Sequence, residues 1–408
     1  MSEVDLGFGD QRVPIPAHIG LFHSGADDLG EQFDFLRVAL ARPREAMVVF
    51  GPKGAAAMFV RAFAKSLGRD LGQEVASGKL VLFDGDSDPD TQLTTVVRAI
   101  KTLVDRGAAV VRVLALVAWD APRWPAPEDF MWIESRLEQA CSELPVAIVC
   151  AYDVTSLPGP ALIYAGIESH RFVSIGGKVA SNPLAIPPEN YMTDRLLRLP
   201  WLLREPASIE GGRGRGVHAC AFFMSRDEEY ATLLPLIREG IERGQAAFQV
   251  IDPDRRTDHL QRLARGEIDV AGLESSQQLE VRDWRETYLA DGRFDPERML
   301  ALLAEVLSTR SNGAHVVADM AWALGHAPGV GALVEYEARF NESMPRDGDT
   351  VICTYDSARF AAATMLDILR AHPVVILGGV LQDNGLYTPP GILIDELKAR
   401  PGVSTQHA

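Results

Sequence analysis

A block of about two hundred residues that opens at His18 recurs from His218, and a repeat this long is a whole domain, so the chain has to fold twice in the same way. His18-Ile19-Gly20-Leu21-Phe22 returns as His218-Ala219-Cys220-Ala221-Phe222. Cys150-Ala151-Tyr152-Asp153 returns as Cys353-Thr354-Tyr355-Asp356, and Gly176-Gly177 as Gly378-Gly379. The fragments keep their order and spacing. At 408 residues and 47% apolar content, the chain has enough apolar material for two ordinary cores.

Within the first copy, apolar or β-branched runs at His18 to Phe22, Ala46 to Phe50, Lys79 to Phe83, Val111 to Val117, Val146 to Cys150 and Phe172 to Ile175 alternate with segments of helical period. The second copy repeats the alternation at Val217 to Phe223, Ala246 to Ile251, Gln278 to Val281, His315 to Met320, Thr350 to Cys353 and Val374 to Leu377. Continuous apolar strands separated by helices require right-handed crossovers, which place helices on both faces of a mostly parallel sheet. The expected class is therefore α/β, as two tandem three-layer domains, each a doubly wound sheet. The boundaries read as a first domain over 12–190, a linker helix with a Gly/Arg tether over 191–216, a second domain over 217–392 and a tail over 393–408. In the linker, Met192 to Leu203 has leucines at helical spacing, and Gly211 to Gly216 is the tether.

Forty Lys and Arg against fifty-six Asp and Glu leave a formal charge of −16, which repels a phosphate backbone. The basic patch Arg213-Gly214-Arg215 sits in the linker, so direct binding of nucleic acid is not expected. There is no apolar run long enough to span a bilayer and no leader pattern at the start, and the expected location is cytoplasmic with no membrane contact. Cys141, Cys150, Cys220 and Cys353 lack CxxC spacing and read as reduced core residues, with no disulfide framework and no metal site.

Ligands of doubly wound sheets lie beyond the carboxyl ends of the strands, so the residues that leave each strand are the candidates for binding. That rule selects Asp84 and Asp283 after the third strand, Trp119 and Trp322 after the fourth, and Tyr152, Asp153, Tyr355 and Asp356 after the fifth. Aromatics with a few carboxylates make a small, mostly apolar pocket; the competing reading is that the acids are helix caps and the aromatics rim packing. His18, His170, His218 and His372 stand at strand entrances, on the side opposite the crevice. If first and last strands are neighbours, His18 approaches His170 and His218 approaches His372. Two imidazoles with no Cys or carboxylate near them make a poor metal site, so structural hydrogen bonding or a proton switch is expected there.

Phosphate binding fails at Gly51-Pro52-Lys53-Gly54, which lacks the P-loop spacing and whose counterpart is Asp252-Pro253-Asp254. The acidic run Asp84 to Asp90 lacks the turn glycine and closing glutamate of a calcium loop and reads as a solvated loop entering a helix. No nucleophile elbow is present, and no Cys, His and acid grouping is evident in both copies. No cofactor is implied.

The second copy resembles the MEDS domain, the sensory domain named for methanogens, methylotrophs and the dichloromethane-responsive regulator DcmR. The resemblance rests on His218 to Phe222, then Ile237-Arg238-Glu239-Gly240 with Gly244, then Tyr288 to Phe294 and Ala318-Asp319-Met320-Ala321-Trp322. It continues through Tyr336-Glu337, Asn341, Cys353 to Asp356, His372-Pro373 and Pro389-Pro390, so it spans nearly the whole repeat. It implies a sheet related to RecA and KaiC ATPases without their P-loop, and a sensor of small hydrocarbon derivatives often joined to a DNA-binding or kinase domain. In the first copy Leu116 replaces Asp319, and Trp132 and Glu138 are read opposite Tyr336 and Asn341. The second domain is therefore expected to keep the family site.

These readings converge on a non-enzymatic sensory protein. A small organic ligand is expected beside Asp319, Trp322, Tyr355 and Asp356, with Gly378-Gly379 permitting close backbone approach, and a separate regulator or kinase as the protein partner. Two alternatives compete: a degenerate nucleotide-binding ATPase of the RecA/KaiC type and a scaffold without ligand.

Overall fold

All twelve apolar runs are strands in a computed structural model of the chain, which describes residues 2–9, 12–25, 28–85, 88–118, 127–189, 216–308, 312–343 and 348–400. The linker expected over 191–216, including Arg213 and Arg215, and the candidate Trp119 lie outside the described residues, save for Gly216. The chain splits into two compact units.

In the first unit the strands are β1 (Glu3–Asp5), β2 (Arg12–Pro14), β3 (Ala17–His23), β4 (Glu45–Gly51), β5 (Leu80–Asp84), β6 (Val110–Val117), β7 (Val146–Asp153), β8 (Phe172–Ile175) and β9 (Lys178–Ser181). The second has β10 (Val217–Phe223), β11 (Ala246–Ile251), β12 (Leu279–Asp283), β13 (Ala314–Asp319), β14 (Thr350–Asp356), β15 (Val374–Leu377) and β16 (Val380–Asp383). The seven-stranded sheets run β5-β4-β6-β7-β3-β8-β9 and β12-β11-β13-β14-β10-β15-β16, the same order in the two copies. All neighbours are parallel except the last pair in each sheet, β8 with β9 and β15 with β16. Those closing hairpins turn on Gly176-Gly177 and Gly378-Gly379, whose positive φ values (56° and 78°, 54° and 79°) suit a two-residue turn in which both residues are left-handed.

The apolar strands are continuous because helices cover both faces. β4 and β10 are buried at every position. In the first unit the helix Ala55–Leu67 turns Ala56, Phe59, Val60 and Phe63, spaced three and four apart, onto one face of the sheet. Burial of a ring such as Phe63 stabilises by roughly 1.5–3 kcal/mol. The helix Pro89–Asp105 starts where Asp88 accepts from the Thr91 amide, with Pro89 at the first helical position, as expected of the acidic run. Among the described residues, no helix is long and apolar enough to cross a membrane.

Two boundaries differ from those expected. The first unit begins before residue 12, because the β1–β2 hairpin buries Val4, Leu6 and Phe8 in the first core and pairs Val4 with Val13. At the other end, the helix Pro390–Ala399 runs through the expected start of the tail at 393, and its Leu393 is fully buried against the helix Leu333–Phe340.

What fastens the N-terminal hairpin is Arg112 of β6, which is 0% exposed. Its Nε donates to Glu45 at 2.7 Å, and its two terminal nitrogens donate to Asp5 O at 2.6 Å and Phe35 O at 3.2 Å. The same place in β13 holds His315, also fully buried, and neither ring nitrogen has a hydrogen-bond partner among the described residues. Burial pulls the His315 imidazole down to about 4. The folded chain thus binds fewer protons there than the unfolded chain between about pH 4 and the unfolded value of about 6.5, so stability falls as pH drops through that window. His315→Leu is expected to flatten the loss of urea midpoint between neutral pH and pH 5; an equal loss in both proteins would contradict it.

Candidate functional site

Each domain buries one histidine cluster on the helix-covered face opposite its main apolar core. Along β3 the odd positions Ala17, Ile19 and Leu21 join that core, so His18, Gly20 and Phe22 face the other way. Cys150 and Tyr152 share that second face on β7, in register with Gly20 and Phe22. β10 and β14 repeat the arrangement with His218, Cys353 and Tyr355. A glutamate from the covering helix, Glu134 of Pro127–Ala140 or Glu337 of Leu333–Phe340, meets them, and the second histidine, His170 or His372, enters just before β8 or β15.

The first and last parallel strands are neighbours as expected, and the imidazoles meet with ring centroids 4.1 Å apart for His18 and His170 and 4.2 Å for His218 and His372. The expectation that no Cys or carboxylate accompanies them is corrected. In the first domain Glu134 Oε2 lies 3.0 Å from His18 Nε2, 3.6 Å from His170 Nε2 and 3.3 Å from Cys150 Sγ. In the second, Glu337 Oε2 lies 3.3 Å from both His218 Nε2 and His372 Nε2 and 3.6 Å from Cys353 Sγ. A Cys, His and acid grouping does recur, and its ligating atoms lie within 4.8 Å of one another in both copies.

Electrostatics inside the cluster are those of groups removed from water. Burial pushes the Glu337 carboxyl up, but the His218 and His372 imidazoles outweigh it and hold the group below the ordinary carboxylate range; Glu134 is lowered in the same way by His18 and His170. Burial, then the neighbouring imidazole, brings His170 down to about 3 and lowers His218. The Cys150 and Cys353 thiols are pushed well up by burial and by the adjacent carboxylate.

The residues selected at the carboxyl ends are scattered by the fold. Tyr152 and Tyr355 turn inward and donate to Glu134 Oε1 at 2.7 Å and Glu337 Oε1 at 2.8 Å, so their hydroxyls serve the buried cluster. Trp322 is 2% exposed in a nest with Tyr288, Phe294 and Tyr336, stacked on Tyr288 at 4.8 Å, while its Nε1 has no hydrogen-bond partner among the described residues. Its placement is that of a core residue. Asp84 accepts from the Gly54 amide at 2.9 Å, which closes the Gly51 to Gly54 turn. Asp153 accepts from Gly25 and Thr155, Asp356 from the Ala358 amide, and Asp283 from the Arg285 amide at the sheet edge. Gly378 and Gly379 occupy the hairpin turn described above.

Two adjoining clefts lie at the carboxyl end of the second sheet, where the chain leaves β10 for the helix Arg226–Glu242 and crosses β14 and β13 to reach β11. Ser225 caps that helix by accepting from the Glu228 amide, which aims Arg226 and Glu229 of its first turn at the strand ends. The outer cleft, the roomier of the two and open to solvent, is lined by Ser225, Arg226, Glu229, Thr354, Tyr355 and Asp356. The narrow inner one, with free space for little more than one water molecule, shares Glu229 and Thr354 and adds Gln249, Arg255, His259 and Asp319. Arg255 bridges Glu229 and Asp319, and Arg226 pairs with Glu229 at 2.7 Å. Burial, then the coulombic pull of Arg226 and push of Asp319, leave the Glu229 carboxyl raised. Among the described residues Gln249, 0% exposed, has no partner for either amide atom, and His259, whose Nδ1 lies 2.8 Å from the Tyr230 hydroxyl, has none at Nε2.

Of the expected contacts, therefore, Asp319, Tyr355 and Asp356 line these clefts, whereas Arg226, Glu229, Gln249, Arg255 and His259 were not among those expected. Arg226 and Arg255 follow β10 and β11 by only a few residues, so the carboxyl-end rule reaches them when carried into the first turn of each following helix. Glu134 and Glu337 had their own signal: each precedes its cysteine by 16 residues. That spacing puts Ile133, rather than Trp132, opposite Tyr336, and the slip of one residue hid the glutamate pair.

No curated protein matches the chain. The family model described as the methanogen/methylotroph, DcmR sensory domain, MEDS, matches residues 17–171 and again 217–373, one match on each sheet with its buried histidine cluster. The chain belongs to the MEDS sensory-domain family and carries two copies of the domain in tandem.

Proposed function

We propose that the chain is a non-enzymatic small-molecule sensor whose ligand enters the carboxyl-end clefts of the second domain and whose occupancy changes association with a separate regulator or kinase. One observation carries this reading: the Gln249 amide and His259 Nε2 are buried at the inner cleft without hydrogen-bond partners among the described residues. Leaving such groups unpaired costs about 1–3 kcal/mol each, which a ligand with matching polar atoms relieves. The narrowness of the inner cleft suits a molecule of few atoms, with Thr354, Asp319 and Asp356 as further polar contacts. Leu116 stands where Asp319 does, which speaks against the same site in the first domain. The nucleotide reading is disfavoured because the Gly54 and Asp254 amides, at the two phosphate-loop positions, already donate to Asp84 and Asp252.

A thermal-shift series on the full chain with short alcohols, ketones, halocarbons and carboxylates, and with ATP and magnesium, tests it. A ligand at a hundred times its dissociation constant adds about 2.7 kcal/mol of stability. We expect a shift with at least one small organic compound that Gln249→Leu abolishes. The unliganded variant is expected to be at least as stable as the parent, since it removes an unpaired buried amide. A shift with nucleotide alone, or an organic shift unchanged in the variant, would overturn the assignment.

A further inference from the structure

We propose that each domain holds a tetrahedral zinc ion, one at His18, Glu134, Cys150 and His170 and one at His218, Glu337, Cys353 and His372, and that these are closed structural sites separate from the ligand clefts. Zinc bonds of about 2.0–2.1 Å to nitrogen, 2.0–2.2 Å to oxygen and 2.3 Å to sulfur put tetrahedral ligand atoms about 3.3–3.6 Å apart. The second domain shows 3.3 Å twice between nitrogen and oxygen, 3.6 Å between oxygen and sulfur, and 3.9 Å between Cys353 Sγ and His218 Nε2. The first shows 3.0 and 3.6 Å between nitrogen and oxygen, and 3.3 Å from Cys150 Sγ to both Glu134 Oε2 and His18 Nε2.

Tautomers point the same way. His170 Nδ1 lies 3.0 Å from Gly166 O and His372 Nδ1 lies 2.8 Å from Ile368 O, and only an N–H donates to a carbonyl. In the neutral ring, Nε2 is then a bare lone pair, and in both residues Nε2 is buried with no hydrogen-bond partner among the described residues. His218 Nδ1 faces Asn341 Oδ1 at 2.9 Å, and the Asn341 amide nitrogen is committed to Glu337 O, Ala338 O and Ala371 O, so the oxygen must be the atom that faces the ring. With both rings neutral, the lone pairs of His218 and His372 converge on the Glu337 carboxylate, an arrangement that a cation between them satisfies.

Around these ligands stands a second layer that orients them. Tyr152 and Tyr355 each bind the Oε1 of their glutamate, leaving Oε2 as the atom nearest the imidazoles and the sulfur. With a thiolate, a carboxylate and two neutral imidazoles, a divalent ion brings the buried group to zero net charge. The mixed nitrogen, sulfur and oxygen set suits zinc, whereas magnesium and calcium take oxygen ligands. Four protein ligands leave no open position for substrate. The first site is the weaker: Glu138 stands in the place of Asn341, and His18 Nδ1 has no partner among the described residues.

The test uses the full chain made without a metal-affinity tag. Elemental analysis is expected to find two zinc ions per chain, one lost in each of Glu134→Gln and Glu337→Gln, with a chelator removing the first-domain ion before the second. Should those variants fail to fold, the parent protein decides. Unfolded with chelator and refolded with cobalt(II), it is expected to show intense tetrahedral ligand-field bands and a thiolate-to-cobalt charge-transfer band. A refolded parent chain that binds neither zinc nor cobalt, or whose cobalt spectrum lacks the thiolate band, would overturn the proposal.

Discussion

Arg112→Ala is expected to lower the unfolding free energy of the first domain by about 3–5 kcal/mol, the loss typical of a buried ion pair robbed of one partner. The substitution leaves the Glu45 carboxylate in a site where it is 7% exposed and strips donors from Asp5 O and Phe35 O. Arg42, which reaches Glu45 from its half-exposed side at 2.9 Å, softens the loss toward the lower end. The damage is directional: the β1–β2 hairpin hangs on those carbonyl contacts, so hydrogen exchange at Val4 and Val13 is expected to rise before the central strands respond. Arg112→Met together with Glu45→Gln removes both charges and is expected to recover most of the stability. A loss below about 1 kcal/mol in urea for Arg112→Ala would show that the pair matters no more than a surface one.

Glu337→Ala is expected to cost the second domain about 3–5 kcal/mol, by the same logic and through a cavity of carboxylate size. Glu337 is the common neighbour of His218, His372, Cys353 and Tyr355, so one substitution strips four buried groups from β10, β14 and the entrance of β15 of their shared partner. Urea unfolding followed by hydrogen exchange at β10 and β14 is the measurement. The first domain, with its own Glu134, is expected to keep its protection. Uniform loss across both domains, or none, would mean that the cluster does not organise the sheet around it.

How much of this was legible in the residues depends on the distance over which each feature is encoded. The twelve parallel strands are local: runs such as Val146 to Cys150 are apolar at every position, and the helices between them have their own period. β9 and β16 were not legible, because Lys178–Ser181 and Val380–Asp383 are short edge strands set by the glycine turns before them. Nor was the N-terminal hairpin, whose three-residue strands are held by Arg112, a residue more than a hundred positions away. The site divides the same way. Asp319 and Asp356 follow from the carboxyl-end rule, whereas Trp322 does not sit as that rule implies, since Tyr288 and Phe294 close over it from another part of the chain. Tyr355 is the last aromatic of its strand, and strand alternation sends its ring to the Cys353 face while Thr354 and Asp356 meet the cleft.

The division of labour between the domains has a physical basis in four positions. Where the second domain has Asp319, Tyr336, Asn341 and His315, the first has Leu116, Ile133, Glu138 and Arg112. The first three changes remove a cleft carboxylate, an aromatic of the Trp322 nest and the partner of the buried histidine. The fourth replaces a neutral buried ring with a cation that holds the hairpin. The histidine, glutamate, cysteine and tyrosine cluster is the part that both domains keep.

Hydrogen–deuterium exchange on the full chain, with and without whichever short alcohol, ketone, halocarbon or carboxylate raises its melting temperature, tests most directly the claim that the second domain carries the ligand site. Protection is expected over Met224 to Glu229 and Gln249 to Arg255, with the Gly51 to Gly54 turn of the first domain unchanged. Protection confined to the first domain, or produced at either turn by ATP with magnesium, would contradict it.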